Sequence, residues 1–420
     1  MTEKFQTVRG MRDFLPDQMR VKQSIEDTCR NVFESFGFEP LQTPIVEDFG
    51  LLAKKGSGGE AIKNEIYYFK DKSDRELGLR FDLTVPLGRV IASNSTLPKP
   101  FKRYQIGTVY RYDRPQAGRY REFTQCDVDI IGAAGILADF ECLQIGCKVM
   151  QELQIDYWVV LNSRPLLEEL AFSCGVPKEK IADCFRSIDK LDKIGEKEVE
   201  EELKQCGIGK KILGVLKEKD LKKIKAVLKN KKPMEEMEKL LELVKQNNLT
   251  EAVKLDLSLA RGLEYYTGFV FEIKTKQGPS VGGGGRYDKL VELYGGQATP
   301  ATGISFGVDR LLDVLEKQNK KVPPKSRVLV MAFTEKQSAL ALKAADAFRQ
   351  AGINAEFDLL SRNVSKNSEY CQKKGIRFLA IIGENEEKKG TVTVKDLQKK
   401  GQFDLPNSLV GLSKLLEMMG

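Results

Sequence analysis

Two short stretches concentrate side chains able to do chemistry. The first, residues 259–268, reads Leu-Ala-Arg-Gly-Leu-Glu-Tyr-Tyr-Thr-Gly. It leads into an apolar run of β type, residues 269–273. Gly262 and Gly268 let backbone come close to a ligand, so Arg261, Tyr265 and Tyr266 can line one face of a pocket. Arginine stays charged and grips carboxylate or phosphate with a planar fork. Taken alone, the segment is equally well an ordinary half-buried strand with an aromatic pair.

The second stretch spans residues 104–132. Its two ends alternate as strands do, with Ile106, Thr108 and Tyr110 on one arm and Phe123, Gln125, Asp127 and Asp129 on the other. Between them Arg114-Pro-Gln-Ala-Gly-Arg119 is a turn by its Pro and Gly. A long hairpin follows, carrying Arg111, Arg114, Arg119 and Arg121 at its closed end. A single arginine there would be surface charge. Four, interleaved with Pro, Gly, Tyr and Phe, fit a clamp for a polyanion such as a triphosphate or a nucleic-acid backbone.

The chain contains no histidine. Imidazole general bases, Ser-His-Asp triads and histidine metal ligands are therefore excluded. Eight cysteines are scattered without a Cys-x-x-Cys pair, so no zinc site is expected from Cys or His. Reduced, buried thiols in a cytosolic protein are the better reading. Net charge is +8, a mild bias that permits nucleic-acid binding without arguing for it. Neither the first residues nor any later apolar stretch predicts a secretory leader or a membrane span.

The two stretches resemble motif 2 of the class II aminoacyl-tRNA synthetases and the signature peptide of the histidyl-tRNA synthetase family. Residues 37–48, with Pro44, resemble motif 1, and Gly303-Ile-Ser-Phe-Gly-Val-Asp-Arg310 resembles motif 3. Arg80-Phe-Asp-Leu-Thr-Val-Pro86 is similar to the family's peptide that receives the amino group. The likeness runs nearly from Arg9-Gly-Met-Arg-Asp13 to the C-terminal domain. It implies activation of L-histidine with ATP and Mg²⁺, then transfer to the 3′ end of histidine tRNA, by a cytoplasmic homodimer. Arg111 and Arg261 would be catalytic, facing the α-phosphate and carboxylate from opposite sides. Arg119 and Arg310 would hold the outer phosphates, and Phe123 would stack on adenine with Glu122 nearby. Asp82, Leu83, Thr84 and Gln125 would form the site of the α-amino group. Asp129 and Tyr266, with Tyr265 alongside, would read the imidazole, and Arg114 or Gln116 would touch the tRNA acceptor stem. Asp113, Asp82 and Asp129 stand where Glu occurs in other members, and a shorter carboxylate can still orient a neighbour. A non-catalytic regulatory or histidine-sensing relative is the alternative. Such forms usually lose the signature arginine or the last domain, and both are present here.

Positioning these residues takes about two to three domains, given roughly 150 residues for each. The resemblance implies an α+β catalytic core, an antiparallel sheet with helices, in two parts: residues 1–163 and 255–320. An amphipathic helix is expected over 17–36, ended by Gly37, a second helix over 138–154 and a strand over 156–161. Residues 164–254 read as a helical insertion dense in Lys and Glu. Its run 216–233 keeps Leu221, Ile224 and Leu228 on one face. Both a solvated helix face and contact with the tRNA acceptor arm fit that run. Residues 54–59 read as a loop, and the four glycines 282–285 are expected where a strand meets a turn. After a linker at 321–326, residues 326–420 alternate strand and helix, predicting an α/β domain. Its place behind a synthetase-like core makes it resemble an anticodon-binding domain.

Overall fold

The computed structural model describes residues 5–54, 65–112, 114, 118–260 and 265–419. The chain divides into two compact units, Met1–Lys320 and Lys321–Gly420. The expected loop at 54–59 lies outside the described residues beyond Lys54, as does much of the hairpin tip.

In the first unit the strands are β1 (Glu39–Pro40), β2 (Val46–Asp48), β3 (Tyr68–Lys70), β4 (Glu76–Leu79), β5 (Phe101–Tyr110), β6 (Glu122–Ile131), β7 (Trp158–Ser163), β8 (Val253–Leu255), β9 (Phe269–Lys274), β10 (Gly282–Arg286) and β11 (Ala301–Gly307). Eight of them form one sheet in the order β1-β5-β6-β11-β10-β9-β7-β8. Its centre is antiparallel, and β1 and β8 join the two ends as parallel partners of β5 and β7. A small antiparallel sheet, β2-β4-β3, accompanies it.

Helix Pro16–Ser35 starts with proline in its first turn, where a missing N–H costs nothing. Val21, Ile25, Cys29, Val32 and Phe33 form its buried stripe. Gly37, at φ 78°, then turns the chain toward β1. Phe33 stacks on Phe306 of β11 at 6.3 Å between ring centroids. Helix Ile136–Glu152 also packs on the sheet: a Cβ at Gly146 would lie 2.9 Å from Ile304 and 3.1 Å from Ile273. One sheet face is thus covered by these helices and supplies a core. The other packs Ile131 and Ala301 against Leu87, Ile91, Leu290 and Val291 at one end and carries polar groups along the rest.

Seven α-helices between Arg164 and Gln246 separate β7 from β8. The run 216–233 is not one helix. It breaks into Lys211–Leu216, Leu221–Val227 and Lys232–Gln246. Side chains that bond nearby backbone cause the breaks. Asp220 accepts from the Lys222 N–H at 2.9 Å, Asn230 from Lys232 at 3.1 Å, and Pro233 sits in the first turn of the last helix. Ile224 and Leu228 are buried as the periodicity predicted, but Leu228 is extended, with ψ 133°.

The four glycines also differ from expectation. They form β10 in mid-sheet, between β11 and β9. The reason is space: a Cβ on Gly284 would run into the Gly303 carbonyl, and one on Gly285 into that of Phe269.

The second unit has a five-stranded mixed sheet of β12 (Val328–Ala332), β13 (Ala355–Phe357), β14 (Phe378–Ile382), β15 (Thr391–Asp396) and β16 (Gly401–Pro406), ordered β13-β12-β14-β15-β16. The first three strands are parallel, as βα alternation requires, and β15 and β16 are antiparallel. Helices Ser338–Gln350 and Val364–Lys374 were legible from periodicity, and Gly352 and Gly375 follow them at φ 79°. Helices Glu384–Lys389 and Leu409–Met419, and strand β16, were not.

Candidate active site

The site is built by strand register. Residues directly opposite across an antiparallel pair share a face of the sheet. One row runs Arg103, Asp129, Gly303, Gly285 and Val270 across five strands. The next runs Gln105, Asp127, Ser305, Gly283 and Glu272. A third is Gly107, Gln125 and Gly307, and a fourth pairs Val109 with Phe123. Acids, amides, a hydroxyl and a phenyl ring therefore rise from one floor, and the glycines between them leave room. A Cβ on Gly107 would lie 2.6 Å from the Arg80 guanidinium, one on Gly285 would lie 2.9 Å from the Tyr266 ring, and one on Gly303 would collide with Asp129.

At one end of this floor the charges are negative. Asp129, 3% exposed, is salt-bridged to the fully buried Arg103 at 2.6 Å and accepts a hydrogen bond from the Tyr287 hydroxyl. Tyr287 stacks on Tyr265 at 5.2 Å, and Tyr265 meets Tyr266 edge-on at 5.3 Å. Burial raises the pKa of both Tyr265 and Tyr266, and nearby carboxylates add to it, so both phenols stay protonated donors. Asp127 is pushed up to about 7, first by burial, with Asp129 and Asp82 adding and Arg103 and Ser305 opposing. Asp82 turns its carboxylate onto the backbone N–H groups of Thr84 (3.2 Å) and Val85 (2.9 Å), capping helix Thr84–Ser93. Leu83 is fully buried, and its carbonyl accepts from Arg103 at 3.3 Å.

The other end is positive. Arg111 donates to the Phe81 carbonyl at 3.0 Å and lies over the Phe123 ring at 5.1 Å. Arg310, at the start of helix Val308–Lys317, donates to Gly118 O at 3.1 Å and Ser280 O at 2.7 Å. Both line a cleft of about 250 Å³ together with Arg119, Phe123, Gln125, Tyr266, Glu272 and Ser305. Low-dielectric walls strengthen the attraction of these guanidinium groups for an anion. The cleft can hold a polyphosphate beside its arginines and a small polar ligand beside Tyr266, Gln125 and Glu272; Asp82, Asp127, Asp129 and Tyr265 are not among its lining residues.

The expected residues do not all converge. Arg121 lies over the Tyr112 ring at 4.1 Å, and its backbone bonds Gly10 and Arg111. Only Arg111 and Arg119 of the four hairpin arginines line the cleft, and Arg114 is exposed. Glu122 points to the face opposite Phe123, beside its register partner Tyr110. Arg261, Asp113 and Gln116 lie outside the described residues. Sequence reasoning assigned no role to Asp127, Ser305, Glu272, Arg103 or Tyr287. Asp127 had a signal, the alternation Phe123/Gln125/Asp127/Asp129 that puts it on the site face. Arg12 was also missed. It pairs with Asp309 at 3.0 Å, and Asp309 accepts from the Thr124 N–H at 2.8 Å, tying helix Val308–Lys317 to β6.

Comparison with known proteins adds the family. The family model described as Histidyl-tRNA synthetase matches residues 10–311, and that described as Anticodon binding domain matches residues 327–417. The chain is 37% identical over 408 residues to a "Histidine--tRNA ligase" of Pyrobaculum islandicum, covering 95% of this chain and 96% of that one. It is 37% identical over 433 residues to one of Bacteroides fragilis, covering 94% and 95%. Among solved structures, histidyl-tRNA synthetase from Nostoc sp. superposes with a TM-score of 0.88 at 30% identity over 100% of both chains. An ATP phosphoribosyltransferase regulatory subunit/histidyl-tRNA synthetase from Bacillus halodurans shares the fold, with a TM-score of 0.77 at 21% identity over 91% of this chain and 99% of that one. No helix among the described residues is long and apolar enough to cross a membrane. With matches spanning both units, the chain belongs to the histidyl-tRNA synthetase family and carries an anticodon-binding domain behind its catalytic core.

Proposed function

We propose that this chain is a histidine–tRNA ligase. In the first step the histidine carboxylate oxygen attacks the α-phosphorus of ATP, forming a new P–O bond. The bond to the β-phosphate oxygen breaks, and pyrophosphate leaves with its electron pair. In the second step a ribose hydroxyl at the tRNA 3′ end takes the histidyl group, and AMP leaves. The observation that carries this reading is the two-signed floor. Both reactants of the first step are anions, and the cleft sets Arg111, Arg119 and Arg310 beside a second region of acids and tyrosines.

Arg111 would cancel repulsion and stabilise charge on the transferring phosphoryl group, with Arg261 opposite it by the family resemblance. Arg119 and Arg310 would hold the outer phosphates and Phe123 the adenine. ATP is taken as its Mg²⁺ complex, so the ion arrives with the substrate. Asp82, Thr84 and Gln125 would receive the ammonium group. Asp129, Tyr265 and Tyr266 would face the ring, whose N–H groups suit carboxylate and phenol oxygens. Fixing both reactants on one rigid sheet supports in-line attack.

Residues 164–254 would form an insertion beside the catalytic core, Arg114 or Gln116 would meet the acceptor stem, and residues 326–420 would grip the anticodon. Exposed Ile45 and Val46 in the segment resembling motif 1 support a homodimer, and eight free cysteines suit a reducing cytoplasm. The test is charging: purified chain, ATP, Mg²⁺ and total tRNA should attach labelled L-histidine to tRNA and no other amino acid. Absence of labelled tRNA, with intact pyrophosphate exchange, would remove the second step.

A further inference from the structure

The two ends of a glutamine amide have opposite chemistry. The NH₂ end donates and repels an ammonium ion, whereas the carbonyl oxygen accepts from one. Which end of Gln125 faces the cleft therefore decides whether it can receive an amino group at all. Gln125 is 9% exposed, and its Nε2 donates to the Ser305 hydroxyl at 2.6 Å. Its Oε1 is buried and has no hydrogen-bond partner among the described residues. Ser305 has one proton to give. Having accepted from Gln125, it has that proton left for an acceptor on the same face of the sheet, where Asp127 is its register partner across β6 and β11 and has a buried Oδ1 with no hydrogen-bond partner among the described residues. Asp127 is 3% exposed, and whether ionised or protonated it keeps an acceptor oxygen for Ser305.

We propose that Asp127 and Ser305 are positioning residues whose one-way relay, Gln125 to Ser305 to Asp127, fixes the Gln125 amide with its carbonyl oxygen toward the α-ammonium group of the amino-acid substrate. A reversed amide would put its oxygen on Ser305 and draw the hydroxyl proton away from Asp127. A buried carboxyl would then be left without its donor, which is the more expensive arrangement. The relay rests on the proposed binding of histidine on this floor, and it gives a role to Asp127, which is buried and does not line the cleft, through Ser305, which does.

The experiment compares two ligands on the full chain by calorimetry. One is L-histidine; the other is 3-(imidazol-4-yl)propionate, which keeps ring and carboxylate but lacks the ammonium group. Ser305→Ala should weaken L-histidine about tenfold or more, the worth of a hydrogen bond to a charged group, and leave the propionate unchanged. Ser305→Thr, which retains the hydroxyl, should restore L-histidine affinity. Asp127→Leu, similar in size but without an acceptor oxygen, should weaken L-histidine selectively even if Ser305→Ala folds poorly. Equal weakening of both ligands would mean a merely structural role and overturn the proposal, as would unchanged L-histidine affinity in both variants. If the unmodified chain failed to bind L-histidine, the functional reading itself would fall, and the relay with it.

Discussion

The two large sheets of this protein are built on opposite principles. The sheet of the second unit is filled with apolar side chains: Val328, Val330, Phe378, Ala380, Ile382, Val392 and Val394 are all fully buried in one core. The large sheet of the first unit has such a core under helices Pro16–Ser35 and Ile136–Glu152, and its other face has an apolar cluster at one end, where Ile131 and Ala301 meet Leu87, Ile91, Leu290 and Val291. Its other face buries Arg103, Asp127, Asp129 and Gln125 above a floor of glycines. Burying charge costs free energy unless it is paired and hydrogen-bonded. The first sheet accepts that cost across its floor, where a charged ligand has to be held, whereas the second has its buried charge, Asp396, at the end of β15 and paired with Arg377 at 2.8 Å. Ligand chemistry is therefore sought on the first sheet, while the apolar core of the second serves to hold its own unit together.

The comparison breaks most visibly at Arg111. Arg111→Ala should lower the rate of adenylate formation by about 10²–10³, the loss typical of one preorganised charge-stabilising group, with the melting temperature nearly unchanged. Arg261→Ala should behave alike, lowering kcat by more than it raises KM for histidine. Single-turnover rates and a thermal melt check both. Asp129→Ala should weaken histidine far more than ATP, because Arg103 and Tyr287 would lose their shared partner as the ring site empties. Calorimetry with each ligand separates the two effects.

Next in size is a contrast in stability. Arg103→Ala should destabilise the first unit by about 3–5 kcal/mol, because it leaves Asp129 buried without its counter-charge. Phe378→Ala in the second sheet should cost a similar amount, about 3–5 kcal/mol, as a cavity. Only the first should abolish activation, so denaturant unfolding paired with an activity assay tells them apart. A chain ending at Lys321, where the two units divide, should still activate histidine yet charge tRNA poorly. Comparable charging by the shortened chain would remove the anticodon role from residues 326–420.

The smallest expected effect is a slope. Asp127 is raised from 3.8 to about 7 by burial and two neighbouring carboxylates. Between those values the folded chain holds a proton that the unfolded chain has lost. Its contribution to stability is complete below pH 3.8 and declines as pH rises toward 7. Asp127→Asn should flatten that part of the stability–pH curve, which denaturant midpoints across the range would show.

Much of this was legible in the sequence because it is local. Alternation gave β6 its two faces, and helix periodicity gave the stripe at Val21, Ile25 and Phe33. What stayed hidden depends on partners far along the chain. Gln125 and Ser305 are 180 residues apart, and nothing near either one specifies their register. The glycines at 282–285 read as a turn because local propensity cannot see the Gly303 and Phe269 carbonyls that exclude a Cβ. The run at 216–233 read as helix because its apolar spacing outweighed the caps at Asp220 and Asn230. Strand β16 has only two inward apolar residues, Phe403 and Leu405, between a glycine and a proline, and is held by pairing with β15.

The central claim is that one glycine-floored sheet face activates histidine. Its most direct test is exchange of labelled pyrophosphate into ATP by the purified chain, measured with each amino acid in turn. The account predicts exchange with L-histidine alone, and its near disappearance in Arg111→Ala. Exchange that is absent, or equal for histidine and other amino acids, would contradict it.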